Sequence, residues 1–535
     1  MHSLKHTKFP EIKNKYFYGK RFNIHNKFVI KKGPVMKSNQ PNIIYILVDD
    51  MGYGDLSSNN PHSKIPTPNL EKLASQGMRF TDAHAPSSVC TPSRYSILTG
   101  RYCWRTDLKQ YVLWPWDPSL IEEDRQTVGN LLKNNGYTTA CIGKWHLGWD
   151  WTTKNGAAPN EGTQIGKFDE KQRHALEKNI DYSQPIKGGP IDRGFDSYFG
   201  VDVPNFPPFA WFEQDRLTEI PTIEKPPVDA SHLGKMIPGW KDEQMIPAFV
   251  NKMNTFIDES SSKPFFLYLS LTSPHTPIAP NKEFIGSSDA GLYGDFVCEV
   301  DWVVGQVMEA LKRNEVEDNT LIFFTSDNGP EVISAADGGA YERVKEQEHY
   351  SMAEYRGAKR DTWEGGHRVP FIAKWPDMIP PNTVCDQLIS LGDLMATCAD
   401  ILKVELKPGE AEDSVSIYSL LQGSIDTSVR DFAVHCSASG TFAIRKGDWV
   451  LIDNPSGDDN GRFGGEPEWF KEMRGYTSHQ YPGELFNIRE DISEKANLYG
   501  DYPEIVKELS GLLKQVKLHG PNQFSSIDSD LPISE

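Results

Sequence analysis

The chain has 535 residues, of which 38% are hydrophobic and 24% charged. This composition excludes an intrinsically disordered chain, and the length predicts two domains. The formal net charge is −18, which argues against a general nucleic-acid-binding protein because phosphate backbones are met by basic surfaces. No apolar run reaches the roughly 18 residues that a membrane-spanning helix needs, so no membrane span is predicted.

The N-terminal segment differs in charge from the rest of the chain, with nine Lys and one Arg against one acidic residue in positions 1–40. It contains neither the apolar stretch of a secretory signal nor enough apolar residues for a packed core. We interpret residues 1–40 as a basic, flexible extension, with Met36 as a possible start; a tail that binds an anionic partner is the alternative. Residues 41–425 and 426–535 are predicted to be a large α/β domain and a small α+β subdomain.

Strands and helices alternate from residue 43 onward. Residues 43–48 are a continuous apolar run, which indicates a strand buried on both faces of a sheet. Further strands are predicted over residues 138–142, 265–271 and 320–325, and helices over residues 68–77, 127–135 and 294–312. This alternation predicts an α/β fold with a large, mostly parallel or mixed sheet between helices.

Two stretches depart from this pattern. Residues 150–260 are rich in Pro, Trp, Phe and Gly with little periodicity, so they are predicted to be long loops over the sheet edge. In the C-terminal part, short apolar segments at 431–435, 442–445 and 449–452 precede a helical pattern over 502–516. They predict a small antiparallel sheet with one helix.

Polar side chains follow two of the predicted strands. Asp49 and Asp50 end the first strand, and Asp327 and Asn328 end the strand over 320–325. Because ligands bind outside the carboxyl ends of strands in open α/β sheets, these groups should converge. Four oxygen donors favour Ca²⁺, or less readily Mg²⁺, over zinc. The alternative is that these residues only cap helices or turns.

Seven cysteines are spread through the chain without a C-x-x-C pair, so neither a zinc knuckle nor a disulfide framework is predicted. One of them, Cys90, begins the segment C-T-P-S-R, in which Pro92 suits the first turn of a helix. Cys90 would then lie at the positive end of the helix dipole. By itself, such a cysteine is more often a small buried apolar side chain.

C-T-P-S-R followed by L-T-G-R resembles the signature of the type I sulfatases, whose cysteine is oxidised after translation to formylglycine. Further family motifs run from about residue 40 to the C-terminus: N-I-I-Y-I-L-V-D-D-M-G-Y-G-D, G-K-W-H-L-G, S-P-H-T-P, T-S-D-N-G, G-A-K-R-D-T-W-E-G-G-H-R-V-P and E-L-F-N-I-R-E-D. The resemblance implies an alkaline-phosphatase-like fold, in which a large mixed sheet is flanked by helices and a small C-terminal antiparallel sheet carries one helix. Residues 41–425 would be the catalytic domain.

The resemblance also implies roles for the residues around Cys90. Its modified side chain would share Ca²⁺ with the four strand-end residues, and a maturing enzyme would be a necessary partner. Arg94 and Lys144 would hold the formylglycine oxygens and offset negative charge. One hydroxyl of the hydrated aldehyde would attack sulfur, and His146 would deprotonate the other so that sulfate is expelled.

Residues further along the chain would contact the substrate. His275 and Lys359 would bind the sulfate and assist the departing alcohol. His367 and Arg368 are candidate pocket residues, although E-G-G-x-R-x-P could equally be a structural loop. Together with Ca²⁺, the basic side chains outweigh the aspartates, which suits an anionic substrate.

These features predict a sulfatase that acts on sulfated oligosaccharides or polysaccharide fragments, because tryptophans in the loops can stack on sugars. A related phosphatase or phosphodiesterase is one alternative, but it would show a Ser or Thr nucleophile and more ligands for two zinc ions. A non-catalytic sulfate-binding homologue is the other, but it would have lost key residues. The localisation stays open. The N-terminal segment shows no secretory signal and so indicates the cytoplasm, whereas the family resemblance indicates the periplasm or secretion.

Overall fold

The computed structural model describes residues 40–226, 230–336 and 338–518. The basic extension predicted over residues 1–40 lies outside this part of the chain, apart from its last position. Within the described residues, no helix combines the length and apolar character that crossing a bilayer requires.

The strands are, in chain order, β1 (Asn42–Val48), β2 (Met78–Phe80), β3 (Ala83–His84), β4 (Thr138–Lys144), β5 (Ser197–Val201), β6 (Phe212–Glu213), β7 (Arg216–Leu217), β8 (Ile223–Glu224), β9 (Lys235–Met236), β10 (Phe265–Ser270), β11 (Thr320–Ser326), β12 (Phe371–Lys374), β13 (Thr383–Cys385), β14 (Ile389–Ser390), β15 (Phe432–Cys436), β16 (Phe442–Lys446), β17 (Trp449–Ile452) and β18 (Glu484–Asn487). The α-helices are α1 (Pro68–Ser75), α2 (Cys90–Thr99), α3 (Val128–Asn134), α4 (Glu170–Glu177), α5 (Met245–Ser260), α6 (Gly291–Arg313), α7 (Ala340–Gln347), α8 (Glu364–His367), α9 (Leu394–Leu402), α10 (Tyr418–Leu421), α11 (Glu468–Arg474) and α12 (Pro503–Leu518).

A large mixed sheet organises the described residues, with the strand order β13-β2-β12-β11-β1-β10-β4-β5-β6-β7. Its central strands β11, β1, β10, β4 and β5 run parallel, whereas β12 pairs antiparallel with β11 and β6 with β5. The register pairs Val48 with Ser326, so the polar residues that follow β1 and β11 emerge side by side. The predicted α/β class and mixed sheet are confirmed.

The two faces of β1 explain its continuous apolar sequence. Ile44 and Ile46 pack into a core that includes residues of α5 and α6, while Tyr45 and Leu47 pack into a second core on the other face. Because successive side chains of a strand point to opposite faces, a strand covered on both sides needs apolar residues at every position.

The loop prediction for residues 150–260 was wrong for part of this region, which contains α4, α5 and several short strands. In α5, the buried residues Ile246, Phe249, Val250 and Met253 recur at helical spacing. Pro247 falls in the first turn, where proline is tolerated because its missing N–H has no partner within the helix.

The C-terminal part forms a second, antiparallel sheet in the order β15-β16-β17-β18, and α12 packs on it. The antiparallel sheet and its helix were predicted, but β18 was not recognised as a strand. A bridge between Ser87 and Cys436 joins β15 to the segment before Cys90, and the Ser87 hydroxyl donates to the Cys436 carbonyl oxygen at 2.8 Å. The C-terminal sheet therefore supports the segment that carries Cys90. The domain division at residue 425 stays a prediction.

Candidate active site

The carboxyl ends of the parallel strands bring the predicted strand-end residues together with Cys90, the first residue of α2. Asp49, Asp50, Asp327 and Cys90 are buried, and each offers a ligand atom within 4.8 Å of the others. The Cys90 Sγ lies 3.4 Å from Asp49 Oδ1. Three carboxylates in so small a volume form an oxygen-rich cluster that fits a hard divalent cation.

Asn328 adds a fourth oxygen to this cluster. Its side-chain nitrogen donates to Asp50 Oδ1 at 2.7 Å, while its Oδ1 is buried and finds no hydrogen-bond partner among the described residues. A buried amide oxygen without a partner is costly, and a cation ligated by it would remove that cost. The donor set therefore fits the predicted calcium ion.

The ionisation of the aspartates reflects their burial. Burial and the neighbouring carboxylate of Asp49 raise the pKa of Asp327 to about 7. Burial also raises the pKa of Asp50 to about 6, against the opposing charge of Lys359. Asp49 differs, because Lys144 and other nearby cations outweigh its burial and hold its pKa well below the usual value. A divalent cation would favour the ionised form of all three carboxyl groups.

Three basic side chains surround the carboxylates. Lys144 Nζ lies 2.6 Å from Asp49 Oδ2, and Lys359 Nζ lies 2.8 Å from Asp50 Oδ2. Arg94 contacts Asp327 through two nitrogens, at 2.7 and 2.9 Å. These cations are buried and held by their partners, so they form a preorganised set of donors for anionic oxygens.

His146 presents an unprotonated nitrogen next to this cluster. Its Nε2 donates to the carbonyl oxygen of Leu113 at 3.1 Å, while its buried Nδ1 has no partner within the described part of the chain. Burial, followed by the charges of Lys144 and Arg94, lowers the pKa of His146 well below its usual value. The neutral ring therefore offers a lone pair that can accept a proton.

His275 is the second histidine of the site. Its Nδ1 donates to the carbonyl oxygen of Thr276 at 2.6 Å, and its Nε2 lies 3.8 Å from Asp50 Oδ2. Burial and the charge of Lys359 lower the pKa of His275 to about 3. The approach of an anionic group would favour its protonated form, since an opposite charge stabilises an imidazolium.

The Cys90 thiol itself is a poor nucleophile in this environment. Burial, followed by the negative charges of Asp327 and Asp49, raises its pKa well above the usual value. Because the thiolate is the reactive form of cysteine, an unmodified Cys90 would remain inert at neutral pH. Its position at the start of α2 does not compensate for the carboxylates that face it.

A cavity of about 440 Å³ gives access to Cys90, His146, His275 and Lys359, which all line it. This volume lies in the range of small-molecule sites. The wall also carries aromatic side chains, namely Tyr111, Trp114, Phe168, Phe206, His232 and Phe463. Among the tryptophans that could stack on a sugar, Trp114 is the one that lines the cavity in the described part of the chain.

Three further charged residues line the cavity, namely Arg360, Glu331 and Arg462. The sequence analysis missed them, because ordinary charged residues in loops carry no sequence signal.

The structure does not bring His367 to this cavity, contrary to its prediction as a substrate contact. Its Nε2 donates to the carbonyl oxygen of Thr362 at 3.1 Å, and its Nδ1 lies 3.0 Å from Nδ1 of His84. Its ring stacks on that of His435, with centroids 3.9 Å apart. We call the three buried rings of His84, His367 and His435 the histidine cluster. His367 therefore serves packing between β3, α8 and β15.

Arg368 is likewise absent from the cavity lining. It donates to Glu364 at 2.6 Å and lies 3.0 Å from Asp82. Two carboxylates and the backbone oxygen of Thr81 occupy its donors, so little of the guanidinium is left for a ligand. The helix α8 points these residues into the interior, which agrees with the alternative that E-G-G-x-R-x-P is a structural loop.

An oxygen-rich carboxylate cluster at the carboxyl edge of a large mixed sheet, next to a small antiparallel sheet, is typical of enzymes of the alkaline-phosphatase-like class. Comparison with known proteins narrows this class. The sulfatase family profile matches residues 41–404. The chain therefore belongs to the sulfatase family, the sulfuric ester hydrolases, as its motifs predicted.

Two curated relatives cover most of the chain. An N-acetylgalactosamine-6-O-sulfatase of Bacteroides thetaiotaomicron is 34% identical over 91% of this chain and 95% of its own length. Arylsulfatase A of Bos taurus is 32% identical over 90% of this chain and 88% of its own length. A solved sulfatase structure from work on the metabolism of multiple glycosaminoglycans by Bacteroides thetaiotaomicron has a TM-score of 0.75 and 31% identity, and covers 90% of this chain and all of that one.

Proposed function

We propose that this sulfatase removes sulfate from sulfated carbohydrates, with a formylglycine made from Cys90 and a bound Ca²⁺ ion. The observation that carries this proposal is the position of Cys90. Its side chain lies between the carboxylate cluster and the open cavity, yet its thiol is held protonated. A site built around an inert thiol becomes functional once that side chain is converted into an oxygen nucleophile.

The carbohydrate class is supported by the cavity and by the relatives. Trp114 lies in the wall, with its ring centroid 4.3 Å from Phe168 and 5.3 Å from Phe206. Such aromatic faces can pack against the apolar face of a sugar ring. One relative is an N-acetylgalactosamine-6-O-sulfatase, so 6-sulfated N-acetylgalactosamine is the first substrate to test.

The proposed roles follow from the hydrogen bonds. Ca²⁺, when bound by the three aspartates and Asn328, would act as a Lewis acid and polarise anionic oxygens. Lys144 and Arg94, which contact Asp49 and Asp327, would hold oxygens of the modified residue. His146 receives a proton at Nδ1, because Nε2 is committed to the Leu113 carbonyl. His275 and Lys359 line the cavity and bind the sulfate, and they provide the proton that the departing alcohol needs.

Peptide mass analysis and turnover test the proposal together. Protein co-expressed with a formylglycine-generating enzyme should carry the aldehyde at Cys90 and release sulfate from N-acetylgalactosamine 6-sulfate. Protein from a host without a maturing enzyme should carry the thiol and release none. Chelation of calcium should remove activity, and added Ca²⁺ should restore it. Full turnover by protein shown to retain the Cys90 thiol would refute the proposed nucleophile.

A phosphate ester provides the matched control for the alternative function, a phosphatase of the same fold. 4-Nitrophenyl sulfate and 4-nitrophenyl phosphate share a leaving group and differ in the transferred group. We expect the sulfate ester to be hydrolysed with the larger kcat/KM. The reverse order would favour the phosphatase alternative.

A further inference from the structure

A loop of the C-terminal part forms one section of the cavity wall and is fixed to the active site. Asn460 is buried, and its side-chain nitrogen donates to the carbonyl oxygen of Lys359 at 2.9 Å and to Asp361 at 2.7 Å. Its side-chain oxygen accepts from Arg360 Nε at 2.6 Å. These bonds tie the loop to the backbone of Lys359, so the residues after Asn460 have a defined place beside the site.

Arg462 and Phe463 follow Asn460 and both line the cavity. The guanidinium carbon of Arg462 lies 4.5 Å from the ring centroid of Phe463 and 5.1 Å from that of Tyr111. Aromatic rings on two sides orient a guanidinium without using its hydrogen-bond donors. The donors of Arg462 therefore stay available to a ligand in the cavity.

The other cations of this wall are neutralised, whereas Arg462 is not. Lys359 is paired with Asp50 and Glu331, and Arg360 forms a close ion pair with Glu331. Within the described ranges, Arg462 forms no ion pair. Its side chain is exposed on the wall of the cavity. Partial burial and the neighbouring charge of Arg360 lower its pKa, against Tyr111, Asp459 and Glu331, which raise it. A bound anion could therefore pair with Arg462 without displacing an existing partner.

Phe463 supplies an apolar surface at the same place. Its side chain is 44% exposed and lines the cavity, so the face of the ring is open to a ligand. The combination of an exposed aromatic face and an oriented, unpaired guanidinium suits a sugar that carries an anionic group. A neutral sugar would use the ring but leave the arginine without a partner.

We propose that Arg462, with Phe463 beside it, forms a second anion-binding subsite for a carboxylate or an additional sulfate on the substrate. This inference rests on the proposed function, because it assumes that the reacting sulfate ester belongs to a carbohydrate. The reacting sulfate is held near Cys90 by His275 and Lys359, so the anion at Arg462 is a different group of the same molecule. The enzyme would then prefer polyanionic fragments over singly sulfated sugars.

Turnover of three substrates by the matured enzyme tests this subsite. They are N-acetylgalactosamine 6-sulfate, a disaccharide of the same sugar with a uronate, and a disaccharide with a second sulfate. Because the variant loses the charged hydrogen-bond donors, Arg462→Gln should lower kcat/KM for at least one anionic disaccharide by about 10-fold or more. The monosaccharide should change less than about twofold, since exposed charges contribute little at a distance. The disaccharide that responds identifies the anion.

Two further variants separate recognition from general charge effects. Arg462→Lys keeps the charge but loses the planar fork, so it should recover only part of the loss. Arg489→Gln removes an exposed arginine that pairs with Asp448 and does not line the cavity, so it should leave all three substrates unchanged. An equal loss on all three substrates with Arg462→Gln, or no loss on any, would overturn the subsite.

Calorimetric binding keeps this test independent of catalysis. In a Cys90→Ala background, Arg462→Gln should weaken binding of the responsive disaccharide by about 10-fold and leave binding of the monosaccharide unchanged. If the matured wild-type enzyme hydrolysed no sulfate ester while this binding difference appeared, the proposed function would fail and the anion subsite would stand. Equal binding of the disaccharide by Cys90→Ala protein with and without Arg462→Gln would overturn the subsite even if sulfate were released.

Discussion

Two buried groups of ionisable side chains lie at the two ends of the segment from β3 to α2, and they differ in their access to the cavity. The cluster around Cys90 borders a cavity and retains buried acceptors without partners, Nδ1 of His146 and Oδ1 of Asn328. In the histidine cluster, His84 contacts both Asp82 and His367. Nε2 of His435 is also without a partner among the described residues, but none of the three rings lines the cavity. Burial and charge are common to both groups, so they do not distinguish a reaction site from a structural one.

The pKa values of the buried carboxyl groups also differ between the two groups. In the histidine cluster, burial of Glu364 is outweighed by His84 and Arg368, which hold its pKa at about 2. In the Cys90 cluster, burial raises the pKa of Asp50 and Asp327. Cations of the protein compensate Glu364, whereas a bound cation would compensate Asp50 and Asp327. Unsatisfied polar atoms beside an open cavity, rather than burial alone, therefore mark the functional site.

The largest effect should come from Cys90→Ala, which removes the precursor of the nucleophile. We expect loss of all measurable sulfate release, with a melting temperature close to that of the parent because little volume is lost. Cys298→Ala, which changes a cysteine on α6, is the matched control and should keep activity. Normal turnover by Cys90→Ala in a sulfate-release assay would contradict the role of this residue.

His146→Ala should produce the next largest loss. General acid–base catalysis contributes roughly 10²–10⁴-fold, so kcat should fall by that order while the fold is retained. His174→Ala changes a partly exposed histidine of α4 and should be neutral. The measurement is steady-state kinetics with circular dichroism of both variants. Activity within threefold of the parent would exclude the assigned proton acceptor.

His367→Ala tests the other side of the comparison. It removes the partner of His84 Nδ1 and a stacked ring, and an unsatisfied buried polar group costs about 1–3 kcal/mol. Denaturant unfolding should show this loss of stability, while KM of the folded fraction should stay unchanged. A tenfold rise in KM without a change in stability would instead restore His367 as a substrate contact.

The smallest effect concerns acid stability. Burial lowers the pKa of His367 to about 3, and burial with the neighbouring histidines lowers that of His435 well below its usual value. Below about pH 6.5 the unfolded chain therefore binds protons that the folded chain does not, so stability falls as the pH falls from 6.5 toward 3. His367→Gln should reduce this slope in melting temperatures measured between pH 7 and 5. An unchanged slope would assign the acid sensitivity to other groups.

Much of the fold could be predicted because its strands are continuous apolar runs followed by acidic residues. The residues of β1 and β11 carry this pattern, and Asp49 and Asp327 follow them directly. The region over 150–260 was predicted less well, since α5 lies among Pro- and Trp-rich segments that obscure its helical spacing. β18 was missed because Glu484 and Asn487 at its ends leave only Leu485 and Phe486 as an apolar pair, whereas all four residues of β17 are apolar.

By itself, the sequence determined the positions of the central strands along the chain, the edge of the sheet at which the polar residues meet, and the motif around Cys90. These are local properties, set by which residues follow a buried strand or begin a helix. Only the tertiary structure decided that Arg462, far along the chain, reaches the cavity of Cys90, and that His367, close to Lys359 in sequence, does not. The physical reason is that side-chain direction depends on packing against distant elements: Asn460 anchors the first, and α8 turns the second into the core.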